Sequence, residues 1–497
     1  MALSEDSLEE ATLRPAAPTY ERTRFAILRG LGLIYLVAFV SLAQQIAPLV
    51  GPNGLLPAET MLDDARVDGV LRAPTIFLWI PATDAALRGF AWLGVVLAIL
   101  VVIGASNALV MAALWILQLS FMEVGQDFWG FGWELMLAEA GFLAIFLAPV
   151  RSISPFAPSR APASPIVIGL FRWMVFRVML GAGLIKLRGD PCWRELTCLE
   201  TFYETQPLPS PLSSLWHFAP AWVQHVGVVL NHVVELVVPF GLFGPRRVRL
   251  VCGLATVAFQ LMLIAGGNLS FLNWLTIVLT LACFDDDQLQ RLVRIDLGST
   301  SAPSRAARIA PIVLAIVIGI LSVDPVLNLL SPEQRMNGSF DPFHLVNTYG
   351  AFGSVDAERY GLVIEGSDAD DPDDDASYRA YELPCAPGDP ARRPCFVAPY
   401  PLRLDWQIWF AAMHPNIAAS PWLVHLVAQI LRGEGSALSL FSRVPFDHPP
   451  RFVRIRRFRY ELAHDAWWHR TLDDPEWMRP IDQGDPALSA YLARRGW

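Results

Sequence analysis

The sequence predicts a polytopic α-helical membrane protein of about nine transmembrane helices, followed by a C-terminal soluble α+β domain containing an antiparallel sheet. Three observations carry that prediction. The 497 residues are 54% hydrophobic and only 17% charged, against roughly 25% charged in a typical soluble domain. The apolar residues gather in runs that reach or approach the roughly 20 residues a helix needs to cross a bilayer. Near residue 335 those runs stop, and shorter, strand-like segments take over. The formal net charge is −9 and no basic stripe interleaved with aromatics occurs, so the electrostatic footprint of a nucleic-acid binder is missing.

Residues 1–24 are polar and read as a cytoplasmic N-terminal segment. The apolar run Phe25–Val50 starts too late and runs too long for a cleaved signal peptide, so it reads as a signal anchor. Further spans fall near Ala86–Ile103, Ala108–Phe121, Trp133–Val150, Pro165–Leu187, Trp222–Phe243, Val248–Ala265, Leu269–Phe284 and Ile309–Leu330. The helical domain thus covers 25–330 and carries an outer-face loop at 188–221.

Arginine in short loops sets the orientation. Arg151 and Arg160 share one loop, Arg246, Arg247 and Arg249 another, and Arg291, Arg294, Arg305 and Arg308 a third. These loops are expected in the cytoplasm. The connections Glu123–Trp129 and Gly266–Asn268 lack Lys and Arg and fall on the opposite side. By alternation the loop Gly51–Thr83 joins them despite Arg66 and Arg72. An odd number of spans puts the N-terminus in the cytoplasm and the C-terminal domain in the periplasm, or in an endoplasmic-reticulum lumen. Cys192, Cys198, Cys385 and Cys395 all fall on that oxidising side, where disulfides persist. The expected pairs are Cys192 with Cys198 and Cys385 with Cys395, the alternative being reduced, packed thiols. Cys252 and Cys283 lie inside expected helices and read as packing residues.

In the C-terminal domain, 335–497, strands are expected at Tyr360–Glu365, Tyr378–Leu383 and Arg451–Leu462, and helices at Leu404–Met413 and Trp422–Leu431. The last strand alternates Val453 and Ile455, then Phe458, Tyr460 and Leu462, with a slip at Arg456 and Arg457 that reads as a bulge. The acidic stretch Asp368–Asp375 lacks the spacing and closing glutamate of a calcium loop and reads as a solvated hairpin loop. Seven Trp follow residue 400, more than a small core takes, so some are expected on an exposed or membrane-facing surface.

The densest motif is Gly181–Pro220, GAGLIKLRGDPCWRELTCLETFYETQPLPSPLSSLWHFAP. Here the chain resembles the lipase maturation factor family. So do NTYGAFGSVDAER at Asn347–Arg359, PGDPARRPCFVAPYPLRLDWQIW at Pro387–Trp409, GNLSFLNWLT at Gly267–Thr276 and PPRFVR at Pro449–Arg454. The resemblance implies a membrane protein of the endoplasmic reticulum that helps secreted lipases fold and assemble into active dimers. Its partners would be a lipase-like secreted client and membrane lipid, with no cofactor implied. The low-Lys, Arg- and Ala-rich composition looks bacterial, which makes the periplasm the equivalent compartment. Arg188, Asp190, Trp193, Glu204, Gln206 and Pro207 are the family-motif and client-binding candidates. The proline-rich part, YETQPLPSP, reads either as a rigid extended edge for a partly folded client or as a plug packed over the helix bundle.

Ionisable residues within membrane helices are functional candidates by default. They are Glu134, Glu139, Arg172, Arg177, Lys186, His232 and Glu235. Lys186 is the one lysine among 38 basic residues. A chain that uses Arg wherever charge suffices keeps Lys here, which marks it as a candidate catalytic base with a pKa lowered by burial. The alternative is a snorkelling side chain beside Arg188 and Asp190. AGLIKL followed by Asp and Trp is also distantly similar to the helix bearing the catalytic lysine of vitamin K-dependent carboxylases. Asn231, His232 and Glu235 sit close on one expected helix, as an acid–base pair or as interhelical hydrogen bonds. The nine His lack paired ligand spacing, so no metal site is expected. No G-x-S-x-G nucleophile elbow occurs, which argues against the chain being itself a lipase. The expected function is a membrane-bound maturation factor or chaperone for exported lipases. The alternative is a membrane-embedded enzyme using Lys186 as a base on a lipid-soluble cofactor or a polypeptide.

Overall fold

A computed structural model of the chain describes residues 18–150, 162–295 and 302–497; Arg151, Arg160 and most of the N-terminal segment lie outside them. Among the described residues, nine apolar helices occupy the expected region. They are α1 (Glu21–Val50), α2 (Asp84–Ile103), α3 (Ala108–Trp129), α4 (Gly132–Leu147), α5 (Pro165–Arg188), α6 (Ala221–Gly241), α7 (Arg246–Gly266), α8 (Leu272–Cys283) and α9 (Arg305–Leu330). Seven are long and apolar enough to cross a membrane, and α4 and α8 are shorter. At 1.5 Å per residue the 16 residues of α4 reach only about 24 Å, short of a hydrocarbon core of roughly 30 Å. The expected nine spans are therefore seven full-length helices and two partial ones.

Local signals set several helix ends. The Thr83 hydroxyl accepts from Ala86 N at the start of α2, and Gly104, with φ 107°, closes its end. The Asn107 carboxamide accepts two N–H groups at the start of α3. Large apolar side chains such as Val96 on α2, Val237 on α6, Val251 on α7 and Ile316 on α9 are exposed. Such a belt is stable only against lipid.

Side-chain contacts sort the connections into two faces. On one, Asp286 accepts the backbone N–H groups of Glu21 and Arg22, Glu21 accepts from Ala163 N, and Arg246 pairs with Asp285. On the other, the loops after α1, α5 and α7 and the last turn of α3 all meet the C-terminal region. His425 bonds Leu55 O at 3.1 Å, Arg403 donates to Phe128 O at 2.8 Å, Arg359 donates to Pro207 O at 2.9 Å, and Asn268 accepts from Val397 N at 2.9 Å.

The C-terminal region carries a small ribbon, β1 (Gly338–Ser339) with β2 (Asn347–Thr348), and a four-stranded antiparallel sheet in the order β4-β3-β5-β6. The strands are β3 (Arg359–Ser367), β4 (Arg379–Tyr381), β5 (Phe452–Leu462) and β6 (Trp468–Ile481). Helices α10 (Arg403–Ala412) and α11 (Pro421–Arg432) lie between β4 and β5. The expected bulge in β5 is corrected: β5 pairs with β3 without a break from Ser367↔Phe452 to Arg359↔Tyr460. The slip instead marks a change of buried face. Val453 and Ile455 face the main core, whereas Phe458, Tyr460 and Leu462 face the opposite side with Val363 and Trp468. The irregularities lie in the pairing with β6, where Arg457↔Asp474 is followed by Phe458↔Leu472 and the extra residue belongs to β6. Strand β6 was not expected, because its prolines and acids break alternation.

The expected exposed tryptophan surface is also corrected. Trp406, Trp422, Trp468 and Trp477 are buried, and Trp409, Trp467 and Trp497 are partly so. The reason is that the C-terminal region shares its core with the helix bundle. Trp406 packs on Trp133 with ring centroids 4.8 Å apart, and Trp422 on Phe128 at 5.8 Å. The acidic loop pairs Asp370 with Arg451 and Asp375 with Arg454. Among the described residues no group of His, Cys, Asp or Glu gathers in a metal-binding arrangement.

Asp405, on α10, accepts the N–H groups of Cys385 and Ala386 at 2.6 and 2.7 Å, which anchors the loop closed by the Cys385–Cys395 disulfide. Burial pushes its carboxyl up from 3.8 to about 6. A folded-state pKa above the unfolded one gives stability that is complete below about 4 and lost as pH rises through about 6, some 3 kcal/mol in all. Asp405→Asn keeps the accepting oxygen and removes the titration. Its Tm, measured by thermal unfolding in detergent, is expected to gain on the wild type as pH rises from roughly 4 to 7 and to hold that gain above. A constant difference across that window would refute the assignment.

Candidate functional site

The last turns of α5 carry Lys186 into the space between α6 and the C-terminal region. Its ammonium lies 2.6 and 2.7 Å from the two carboxylate oxygens of Glu235 and 3.2 Å from Asn231 Oδ1. Asn231 Nδ2 in turn donates to Glu235 Oε2 at 2.9 Å. Lys186 and Glu235 are 5% and 3% exposed, so each charge has the other as its main substitute for water. Glu235 sits in a π-helical turn, Val233–Val237, within α6. Pro239, four residues on, has no N–H to offer the Glu235 carbonyl, and the helix widens at that point. The lysine head therefore turns inward to α6 rather than out to the interface.

A lid of short-range contacts closes over this pair. The Trp193 ring lies 5.1 Å from Lys186 Nζ, its Nε1 donates to Phe352 O at 2.8 Å, and the Cys192–Cys198 disulfide closes the turn that holds it. His232 Nε2 bonds Trp193 O at 2.9 Å, so the structure does not bring it to Glu235. Asp190 accepts from Val355 N at 2.6 Å, and Arg188 donates to Gln334 Oε1 and Leu329 O. Trp193 and Asp190 fasten the segment 347–355 along α5, and Arg188 ties the end of α9 and Gln334 to it. That segment lies so close that a Cβ at Gly181 would collide with Tyr349 O, and one at Gly189 with Gly353 O.

The proline-rich motif is covered. Glu204, Gln206 and Pro207 are all buried, as the plug reading requires. Arg359 donates to the carbonyls of Glu204, Gln206 and Pro207, and Gln206 Nε2 donates to Gly266 O at 2.8 Å. Glu204 accepts from Leu462 N at 2.6 Å, and burial raises its carboxyl above the usual range. The buried Arg359 guanidinium is lowered to about 10 by the same desolvation. Asn268 joins the layers, accepting from Val397 N and Ala398 N while donating to Leu208 O and Cys395 O. Arg359, Asn268 and Arg403 were missed as site residues. Each stands inside a family-like motif, but only contacts distant in sequence reveal its role.

Beside the pair lies a cavity of about 410 Å³. Lys186, Asn231, Glu235 and Trp193 form one side, and Gln260 and Asn273 contribute two carboxamides. The rest of the wall is mainly apolar, including Met179 and Trp133 from the helices and Trp406 and Phe410 from α10, with Thr205, Gln206, Thr276, Asn337, Ser354 and Asp356 also lining it.

A sequence profile described as the lipase maturation factor transmembrane domain matches residues 22–291, and one described as the lipase maturation factor C-terminal domain matches 345–480. The chain is 42% identical to Lipase maturation factor 1 of Bos taurus over 529 residues, covering 97% of this chain and 93% of that protein. Identity to Lipase maturation factor 1 of Homo sapiens is 41%, over 96% of this chain and 91% of that protein. Lipase maturation factor 2 of Gallus gallus is 29% identical over 96% of this chain and 83% of that protein. No solved structure matches the chain.

The ion pair predicts a non-additive response. Glu235→Leu alone strands a buried ammonium and is expected to cost about 3–5 kcal/mol, whereas Lys186→Met with Glu235→Leu is expected to restore most of that loss. A double-mutant cycle on thermal unfolding in detergent checks it. Additive losses would mean that the two groups do not depend on each other.

Proposed function

Because the chain belongs to the lipase maturation factor family, we propose that it is a membrane-bound maturation factor assisting the folding and assembly of exported lipases. The observation that carries this reading is identity of 42% over 97% of the chain, which spans the helix bundle and the C-terminal region together. Arg246 and the connection after α8 at Asp285–Asp286 share one face with the start of α1, and the two disulfides and the C-terminal region occupy the other. That division supports a cytoplasmic N-terminus and a periplasmic or luminal C-terminal region. With the proline-rich motif covered, the client meets the exposed apolar side chains of the C-terminal region, such as Phe396 beside the Cys385–Cys395 disulfide, and Phe410 and Met413 at the end of α10. The enzyme alternative finds no support, since the Lys186 ammonium faces both oxygens of Glu235.

The test is the activity of secreted lipase per mass of lipase antigen in cells lacking this chain, complemented with wild type, Lys186→Arg or Cys385→Ser. Activity per mass is expected to fall without the chain and to return with wild type and with Lys186→Arg, which keeps the charge. Cys385→Ser is expected to complement poorly. Unchanged specific activity in the deficient cells would overturn the proposal. Failure of a normally inserted Lys186→Arg would reopen the case for a deprotonated amine.

A further inference from the structure

The cavity beside Lys186 has the composition and depth of a lipid site, and we infer that it holds one hydrocarbon chain of an uncharged lipid with its carbonyl oxygen at Gln260. Its volume of about 410 Å³ is within the range of small-molecule sites, which pair apolar walls with a few placed polar groups. The inference rests on the cavity and not on the lipase-client reading, although Phe410 and Met413 belong to both surfaces.

The polar groups point to the ligand's chemistry. Gln260 is 4% exposed. Its Oε1 accepts from Asn273 at 2.7 Å, but among the described residues its Nε2 has only the Met179 thioether, at 3.5 Å. A thioether is a weak acceptor, so a buried carboxamide donor is left facing the cavity and short of an oxygen. An ester or ketone carbonyl supplies that oxygen. The charged groups select against an ionic head, because Lys186 is already engaged by Glu235 and Asn231. Beside that pair an anionic headgroup would have to break it and a cationic one would bring a second ammonium next to the first, while the other carboxylate on the lining, Asp356, is exposed and solvated without a ligand.

Depth and wall chemistry favour a lipid over a polypeptide. Gln260 lies six residues before the end of α7 at Gly266, about 9 Å below the helix end. An extended polypeptide at that depth needs partners for every backbone N–H and C=O, and the wall supplies few; a hydrocarbon chain needs none. The exposed part of the lining offers an apolar approach through Met336, Phe410 and Met413, exposed at 46%, 39% and 44%, beside the polar Asn337, Ser354 and Asp356.

The experiment uses the full chain in detergent and a diacylglycerol bearing a diazirine on one acyl chain. Photolysis is expected to place adducts within 178–186 and 260–276. Unlabelled diacylglycerol should compete, and phosphatidylserine at equal concentration should not. Gln260→Leu should weaken competition about fivefold, the size of one neutral hydrogen bond, and Ala182→Phe, which fills the cavity, should abolish the adducts. If Ala182→Phe fails to fold, the wild-type competition and Gln260→Leu decide. Adducts confined to lipid-facing α2 and α9, equal competition by phosphatidylserine, stronger competition by an apolar peptide, or unchanged labelling in folded variants would each overturn the inference.

Discussion

A carboxylate held at membrane depth must find a cation, and α4 carries two. Glu134 and Glu139 are 0% and 1% exposed. Being five residues apart, they point to different sides of the helix at 100° per residue. Glu134 accepts from Arg403 of α10 at 2.7 Å, from Gln118 of α3 at 2.7 Å and from the Trp133 indole. Glu139 pairs with Arg177 of α5 and accepts the Asn347 N–H at 3.0 Å and the Tyr349 hydroxyl at 2.8 Å. Losing one partner of a buried pair costs about 3–5 kcal/mol, mostly because the other charge is stranded. The membrane helices are therefore incomplete without the C-terminal region, which supplies Arg403 to one carboxylate and Asn347 and Tyr349 to the other.

This dependence explains why the two parts share one core. Once Arg403 and the segment 347–355 are docked, α10 must lie across the outer ends of the helices, and its Trp406 is enclosed by Phe131 and Trp133. The covered proline-rich motif follows from the same geometry. Its carbonyls lie under the sheet, and Arg359 satisfies three of them with one guanidinium. The disulfides then act on the cap and not on the bundle. One holds Trp193 over Lys186, and the other closes the loop that reaches Asn268.

Much of this was legible in the sequence wherever the signal was local. Hydropathy located all nine helices, and the cost of burying charge singled out Glu134, Glu139, Arg177, Lys186 and Glu235 before any partner was known. The partners were not legible, because Glu134 and Arg403 are separated by 269 residues and Lys186 and Glu235 by 49. His232 was grouped with Glu235 on an ideal helix, but the π turn that begins at Val233 changes the spacing and leaves His232 on the Trp193 carbonyl. In β5 the period of two was read correctly, yet a switch of buried face mimics a bulge when only one strand is visible. The tryptophan surplus was judged against a small isolated core, and a shared core removes that premise.

The same pairings keep the cavity open. Lys186 with Glu235 and Gln260 with Asn273 fix two of its walls through polar contacts that cannot slide inward without losing partners. The cavity reaches the surface past Met336, Phe410 and Met413, so what enters it is decided by its walls, which are mainly apolar. At this depth the abundant apolar material is lipid, so the stability of the cap and occupation of the cavity rest on the same four polar side chains.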